Sequence, residues 1–347
     1  LYLFFKEKAL CLLFHISGDH TMTSKFLKLT SLGIALFAMS TGAAHAEYPE
    51  HPITLVVPFA AGGPTDVVAR SLGAELGKIL KQPIVVENKT GAGGTVAAAH
   101  IANSKPDGYT FFLHHNGMAT APALYKNLKF DPLNSFEYVG EVVDVPMTLL
   151  ARADFPPNNL QEFIEYAKQN ADTINLANAG PGAVSQLCGS LLQQAIDTKF
   201  TTIPFQGTGP AMTALLGKQV DILCDQTTQT IPHIDAKTVK FYGVTTKDRI
   251  SKLPDAPTLD EQGLKDFDFK VWHGIYAPKG TPEPVIAKFN GALKEALKSD
   301  AFKTKMADLG AEIVSEERQS SESLKKWVDS EIKKWGPILQ AEGMNVN

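Results

Sequence analysis

Four short stretches gather glycine and other small residues where a β-rich run gives way to a helical one. They are Ala60-Ala61-Gly62-Gly63-Pro64-Thr65-Asp66, Gly91-Ala92-Gly93-Gly94-Thr95, Ala179-Gly180-Pro181-Gly182-Ala183 and Gln206-Gly207-Thr208-Gly209-Pro210-Ala211. A helix start carries backbone N–H groups without intrahelical partners and the positive end of the helix dipole, which together receive an anion. Glycine at such a place permits positive φ and lets a ligand approach the backbone. A tight turn is the plainer reading of any one stretch. Four of them point to a shared site for one small anion. A phosphate is the competing ligand, but no G-x-x-x-x-G-K followed by Ser or Thr occurs, and Gly91 to Gly94 lacks the G-x-G-x-x-G spacing. The pattern favours a carboxylate.

Other residues near these stretches have chemistry of their own. Asp66 falls in the first turn of its helix, where it either steadies the helix dipole or holds a water, amino or hydroxyl group in a cleft. His114-His115-Asn116 end a strand, and in an extended chain the two rings point to opposite faces, so that one reaches the ligand. No carboxylate or further histidine stands at ligand spacing near them, so no metal site is expected. Ser185, His115 and Asp66 would be the members of a hydrolytic triad. There is no G-x-S-x-G elbow, and an enzyme is not the expectation.

The elements that must position these residues alternate as an α/β fold requires. Strands are expected at 53–58, 83–87, 109–113, 147–151, 174–177, 201–204, 220–224, 238–245 and 269–277. Helices are expected at 67–80, 95–102, 160–169, 185–196, 211–216, 282–297 and 325–339. The continuous apolar runs suit a parallel sheet covered on both faces. The chain crosses between two sets of elements near 145–150 and again near 268–275. Two lobes joined by two crossings make a hinge with a cleft, the usual place for a ligand in such folds.

The 347 residues allow two domains, and 44% hydrophobic with 20% charged residues is an ordinary globular composition. The formal net charge of −4 argues against a nucleic-acid binder. From Met22 the chain reads Lys25 and Lys28, an apolar run Leu32 to Met39, then Ala44-His45-Ala46, the order of a secretory signal cleaved after Ala46. Residues 1–21 read as upstream sequence. Without residues 1–46 the chain keeps 29 basic and 35 acidic residues. A protein outside the cytoplasm is the expectation, and a nicotinamide cofactor would rarely be met there. Cys188 and Cys224 then remain, which in an oxidising compartment suggest one disulfide, with two free buried thiols as the alternative.

The runs PITLVVPFAAGGPTDVVAR, VVENKTGAGGT, NAGPGAVSQLCG, PFQGTGPAMTALLGKQVD and VWHGIYAPKGTP resemble the Bug (TctC-like) family, the periplasmic solute-binding proteins of tripartite tricarboxylate transporters. The resemblance covers the whole chain after the signal. It implies an α/β, two-lobed Venus-flytrap fold, with lobe 1 formed by 47–146 plus 271–347 and lobe 2 by 147–270. It implies a monomer that binds a small carboxylate, aromatic and amino-substituted acids included, and presents it to membrane permease subunits with no cofactor. A sensory protein presenting the same acid to a membrane kinase is the alternative. Carried over by residue, the ligand set is Phe59, Gly62, Gly63, Thr65, Asp66, Asn88, Gly91 and Thr95 from the first lobe. Gly180, Gly182, Ala183, Ser185, Gly207, Thr208, Gly209 and Asp225 come from the second. To these the sequence adds His114, His115 and Asn116, a pair of histidines less typical of the family. Ala183 and Gln186 stand where the family often has Ser and His. Cys188 and Cys224 match a subgroup with Leu-Cys-Gly and Cys-Asp-Gln, which implies a disulfide between a helix and a strand of the second lobe.

Overall fold

The computed structural model describes residues 47–341; the leader and its expected cleavage after Ala46 lie outside the described residues. Strand β1 (Ile53–Val57) leads into α1 (Pro64–Leu80). Strand β2 (Ile84–Asn88) leads through a short 3-10 turn into α2 (Thr95–Ala102), and β3 (Thr110–His115) into α3 (Gly117–Leu124). The long strand β4 (Phe136–Arg152) carries the chain onward to α4 (Leu160–Asn170), β5 (Asn175–Asn178) and α5 (Val184–Ala195). Then come β6 (Thr201–Pro204), α6 (Thr208–Leu216), β7 (Ile222–Gln226), α7 (Thr227–Asp235) and β8 (Val239–Val244). Strand β9 (Lys270–Pro278) brings the chain back, followed by α8 (Glu283–Lys298), α9 (Asp300–Asp308), β10 (Glu312–Ile313) and α10 (Ser321–Ala341).

Helix α1 starts at Pro64, earlier than its apolar periodicity indicates, because proline is at home in a first turn. Val68, Leu72, Leu76 and Leu80, four residues apart, are its buried stripe. Helix α6 likewise starts at Thr208 with Pro210 in its first turn. Helices α3, α7 and α9 are additions to the expected elements. The first is built of small residues buried on most sides, and α7 contains Pro232, so neither shows a clear helical period.

The strands form one sheet in the order β2-β1-β3-β9-β4-β7-β5-β6, with β8 and β10 also pairing β4. The outer pairs are parallel: β1 with β2 and β3, β5 with β6 and β7. The parallel pairing expected of the first three strands is present, and the centre, of which the apolar runs gave no sign, is antiparallel. The reason is that β4 and β9 carry the chain across the molecule in opposite directions. Strand β4 pairs β9 from Phe136 to Pro146 and then β7 from Met147 to Ala151. Close to this change of partner the Arg318 guanidinium grips Glu141 and Asp144 of β4 at 2.7–2.9 Å. Separate cores lie on either side, one around Val56, Phe112, Tyr276 and Leu324, the other around Leu150, Ala177, Leu215 and Leu223. Among the described residues no helix is long and apolar enough to cross a membrane.

Candidate functional site

Between the two cores four helix starts converge. Pro64 and Thr65 open α1, Val184 and Ser185 open α5, Thr208 opens α6, and Gln226 immediately precedes α7; all line one cavity of about 20 Å³. Phe59, His115, Met147, Ala179, Ala183 and Asp225 complete its wall. No Lys or Arg is among these residues. An anion held here meets backbone N–H groups and helix dipoles in place of a cationic side chain. The space is room for about one water, so a larger ligand requires the lobes to part.

The loops carrying these helix starts touch one another across the cleft. Ala60 N–H donates to Gln206 O at 3.0 Å, and a β-carbon on Gly207, at φ +153°, would lie 3.0 Å from the Ala60 nitrogen. Gly63 and Gly209 face each other backbone to backbone. Phe59 packs on Ala179 and Ala183. It also separates the cavity from a neighbouring pocket of about 200 Å³ lined by Gly91 to Gly94, Ala179 to Pro181 and Pro204 to Gln206. The Gly91–Thr95 and Gly180 stretches therefore border this second space, and Thr95 spends its hydroxyl on Ala92 O at 2.9 Å. Gly182 packs on the Tyr125 ring, and its N–H donates to Gln186 Oε1 at 2.6 Å.

Asp66 and Asn88 stand outside the cavity wall. Asp66 accepts from Gly62 N–H at 2.9 Å, from Arg70 at 2.8 and 2.9 Å and from Asn88 at 2.9 Å. Asn88 also donates to Phe59 O at 2.9 Å. Burial alone would raise the Asp66 pKa, but hydrogen bonds from Arg70, Gly62 and Asn88 outweigh it and hold the carboxyl below its ordinary value. The pair ties down the loop that carries Phe59 and Gly62.

His115 lines the cavity and stacks on Phe59, ring centres 4.9 Å apart, while its Nδ1 accepts from Gly117 N–H at 3.0 Å. His114 lies beneath Gly94 and Gly117 instead. The two rings are only 4.8 Å apart, which corrects the expectation of opposite faces. Strand β3 ends at His115 and Asn116 already has helical angles, so the pleat no longer sets the direction. Asn116 turns to β9, donating to Lys270 O at 3.2 Å and accepting from Trp272 N–H at 3.1 Å. His273 of β9 joins the cluster, its Nε2 3.2 Å from the Thr65 hydroxyl. Burial pushes His114 and His273 down to about 3 and His115 well below its ordinary value, so these rings are neutral and add no positive charge.

Asp225, at the end of β7, is fully buried. Its Oδ1 accepts from Gln226 N–H at 2.8 Å, and its Oδ2 has no partner. Burial without a cation pushes this carboxyl up to about 7. Ser185 Oγ accepts from Ala179 N–H at 2.7 Å, which leaves its proton free to donate. The Thr208 hydroxyl donates to Gln229 at 3.1 Å. Cys188 and Cys224 form a disulfide that ties α5 to β7, two elements that both reach the cavity.

Met147, Val184 and Gln226 are in the cavity wall without having been singled out in the sequence. The start of α7 lacks glycine, and its only local sign is the Gln226-Thr227-Thr228 run after a strand. Tyr125 is a further addition, its hydroxyl donating across the cleft to Pro181 O at 2.6 Å.

A sequence profile described as "Tripartite tricarboxylate transporter family receptor" matches residues 68–344. The UPF0065 protein in the TAR-I ttuE-ttuC' intergenic region of Agrobacterium vitis is 45% identical over 300 residues, 86% of this chain and 87% of its own. Among solved structures, the periplasmic binding protein BugD is similar at 50% identity and a TM-score of 0.84, over 86% of this chain and all of its own. MatC from Rhodopseudomonas palustris with bound malate is similar at 42% identity and a TM-score of 0.81, over 84% of this chain and all of its own.

Proposed function

Since this chain belongs to the tripartite tricarboxylate transporter receptor family, a family of binding proteins and not of enzymes, we propose that it captures a small mono- or dicarboxylate between its lobes and delivers it to a transporter permease. The observation that carries this reading is the convergence of four helix starts on one cavity without a cationic side chain. Such a site neutralises a carboxylate with N–H groups and dipoles, and releases it when the lobes part and the helix ends separate. The malate held by MatC, whose fold this chain shares, supports a carboxylate as the ligand. The lobes are residues 47–146 with 271–347, and 147–270. The protein works as a periplasmic monomer, exported by a signal cleaved after Ala46. Sensory presentation of the same acid to a membrane kinase uses the same cleft and differs only in the partner.

A thermal-shift screen against aliphatic, hydroxy, amino and aromatic acids tests the reading. An acid at about 100 times its Kd adds roughly 2.7 kcal/mol of stability, a rise of several degrees in Tm. Protein stripped of carried-over ligand by unfolding and refolding that responds to no acid, yet responds to another solute class, would overturn it.

A further inference from the structure

The cavity wall is not uniform in its hydrogen-bonding character. The wall contains donors, the helix starts with the Ser185 hydroxyl free to donate. It also contains an acceptor, the carboxylate of Asp225, completely buried and with Oδ2 unpaired. The neighbouring Gln226 Oε1 is buried and unpaired as well. A buried carboxylate oxygen without a partner is costly, and it becomes favourable only when a donor meets it. No Lys or Arg lines the cavity and the nearby His115 and His273 are neutral, so no cationic group of the wall pairs with this carboxylate, and the Thr208 hydroxyl, also in the wall, is given to Gln229. A plain carboxylic acid would satisfy the donors and leave Asp225 as it is.

We propose that Asp225 is the specificity-determining residue of this site and that it receives an O–H or N–H donor carried by the ligand beside its carboxylate, so that the preferred ligands are hydroxy or amino acids. This rests on the carboxylate reading above and narrows it. An ammonium would give the buried carboxylate its only countercharge, and a hydroxyl would give it a neutral hydrogen bond. Asp225 is held for this task from two directions. Its own strand is tied to α5 through the adjacent Cys224, and the Thr148 hydroxyl donates to its backbone carbonyl at 3.1 Å.

The test is calorimetric titration of the stripped protein with two matched sets: propionate, lactate and alanine, then succinate, malate and aspartate. In at least one set the donor-bearing acids should bind about ten- to a hundredfold more tightly than the unsubstituted one. Preference for the amino member alone identifies an ammonium as the donor, and preference for both identifies any donor. In Asp225→Asn, which keeps the shape and turns one acceptor into a donor, the preference ratio should collapse towards one. Equal binding of substituted and unsubstituted acids by the unmodified protein would overturn the proposal without any variant. So would a preference that survives Asp225→Asn in folded protein. Failure of every acid to bind would instead bring down the carboxylate reading itself.

Discussion

The Tyr125 hydroxyl donates to the Pro181 carbonyl at 2.6 Å, joining the loop after α3 to the glycine-rich loop before α5. Tyr125 precedes β4 in one half of the sheet and Pro181 lies between β5 and α5 in the other, so the bond bridges the cleft.

Tyr125→Phe removes that bond and keeps the ring on which Gly182 packs. One neutral hydrogen bond is worth about 0.5–1.5 kcal/mol, so the closed form loses that much relative to the open one. Kd for the bound acid should rise about two- to tenfold, measured by titration. An unchanged Kd would mean that the bond survives opening or is replaced by water.

Gly207 sits at φ +153° against the Ala60 nitrogen, where a side chain has no room. Gly207→Val should hold the loops apart and raise Kd more than tenfold, while the melting temperature without ligand falls far less than for a core substitution. Saturation at the same acid concentration as the unmodified protein would show that the two loops need not meet for binding.

Asp66→Ala strips partners from Gly62, Arg70 and Asn88 together. Loss of a buried, charged hydrogen-bond network should cost about 2–3 kcal/mol, several degrees in Tm, and weaken binding through the loosened loop. Arg70→Ala should cost less, since Arg70 is half exposed. A loss of affinity with no change in Tm would instead mean that the Asp66 carboxylate touches the ligand directly.

The Cys188–Cys224 disulfide closes a loop spanning 36 residues. Chain entropy alone assigns such a link about 3–4 kcal/mol. The double substitution Cys188→Ala, Cys224→Ala should lower stability by that order in denaturant titration. Both cysteines are buried, so mild reductant should leave the native protein intact and act only under unfolding conditions.

The pH dependence of stability contains two opposed contributions. His114 and His273 stay neutral in the fold down to about 3, whereas their unfolded forms take up a proton near 6.5. They therefore lower stability as the pH falls below 6.5. Asp225 keeps its proton in the fold up to about 7, against 3.8 unfolded, so it lowers stability as the pH rises between those values. Asp225→Asn removes only the second contribution. Relative to the unmodified protein, its Tm should rise progressively from pH 4 to pH 7. A constant difference across that range would show that Asp225 is already ionised in the fold.

Much of the architecture was legible because local patterns carried it. The strand ITLVV and the stripe Val68, Leu72, Leu76 and Leu80 announce themselves by composition and spacing. Helix α3 does not, because its small residues are buried on most sides and leave no polar face to mark a period. The antiparallel centre was also hidden, since an apolar strand looks the same whichever way its neighbour runs.

For the site, residue types and junctions were enough to indicate an anion held by helix starts, because the groups that do the work belong to the backbone and follow from strand–glycine–helix order. Which starts share one cavity depends on how the loops pack, and that only the tertiary structure decided. It set the Gly91–Thr95 junction beside a second pocket and brought in the glycine-free junction at Gln226. It gave Asp66 to Arg70 and Asn88, and it left Asp225 buried without a partner. A carboxylate's role is set by what surrounds it in space, and burial, partners and the local dielectric are properties of packing that no stretch of sequence holds by itself.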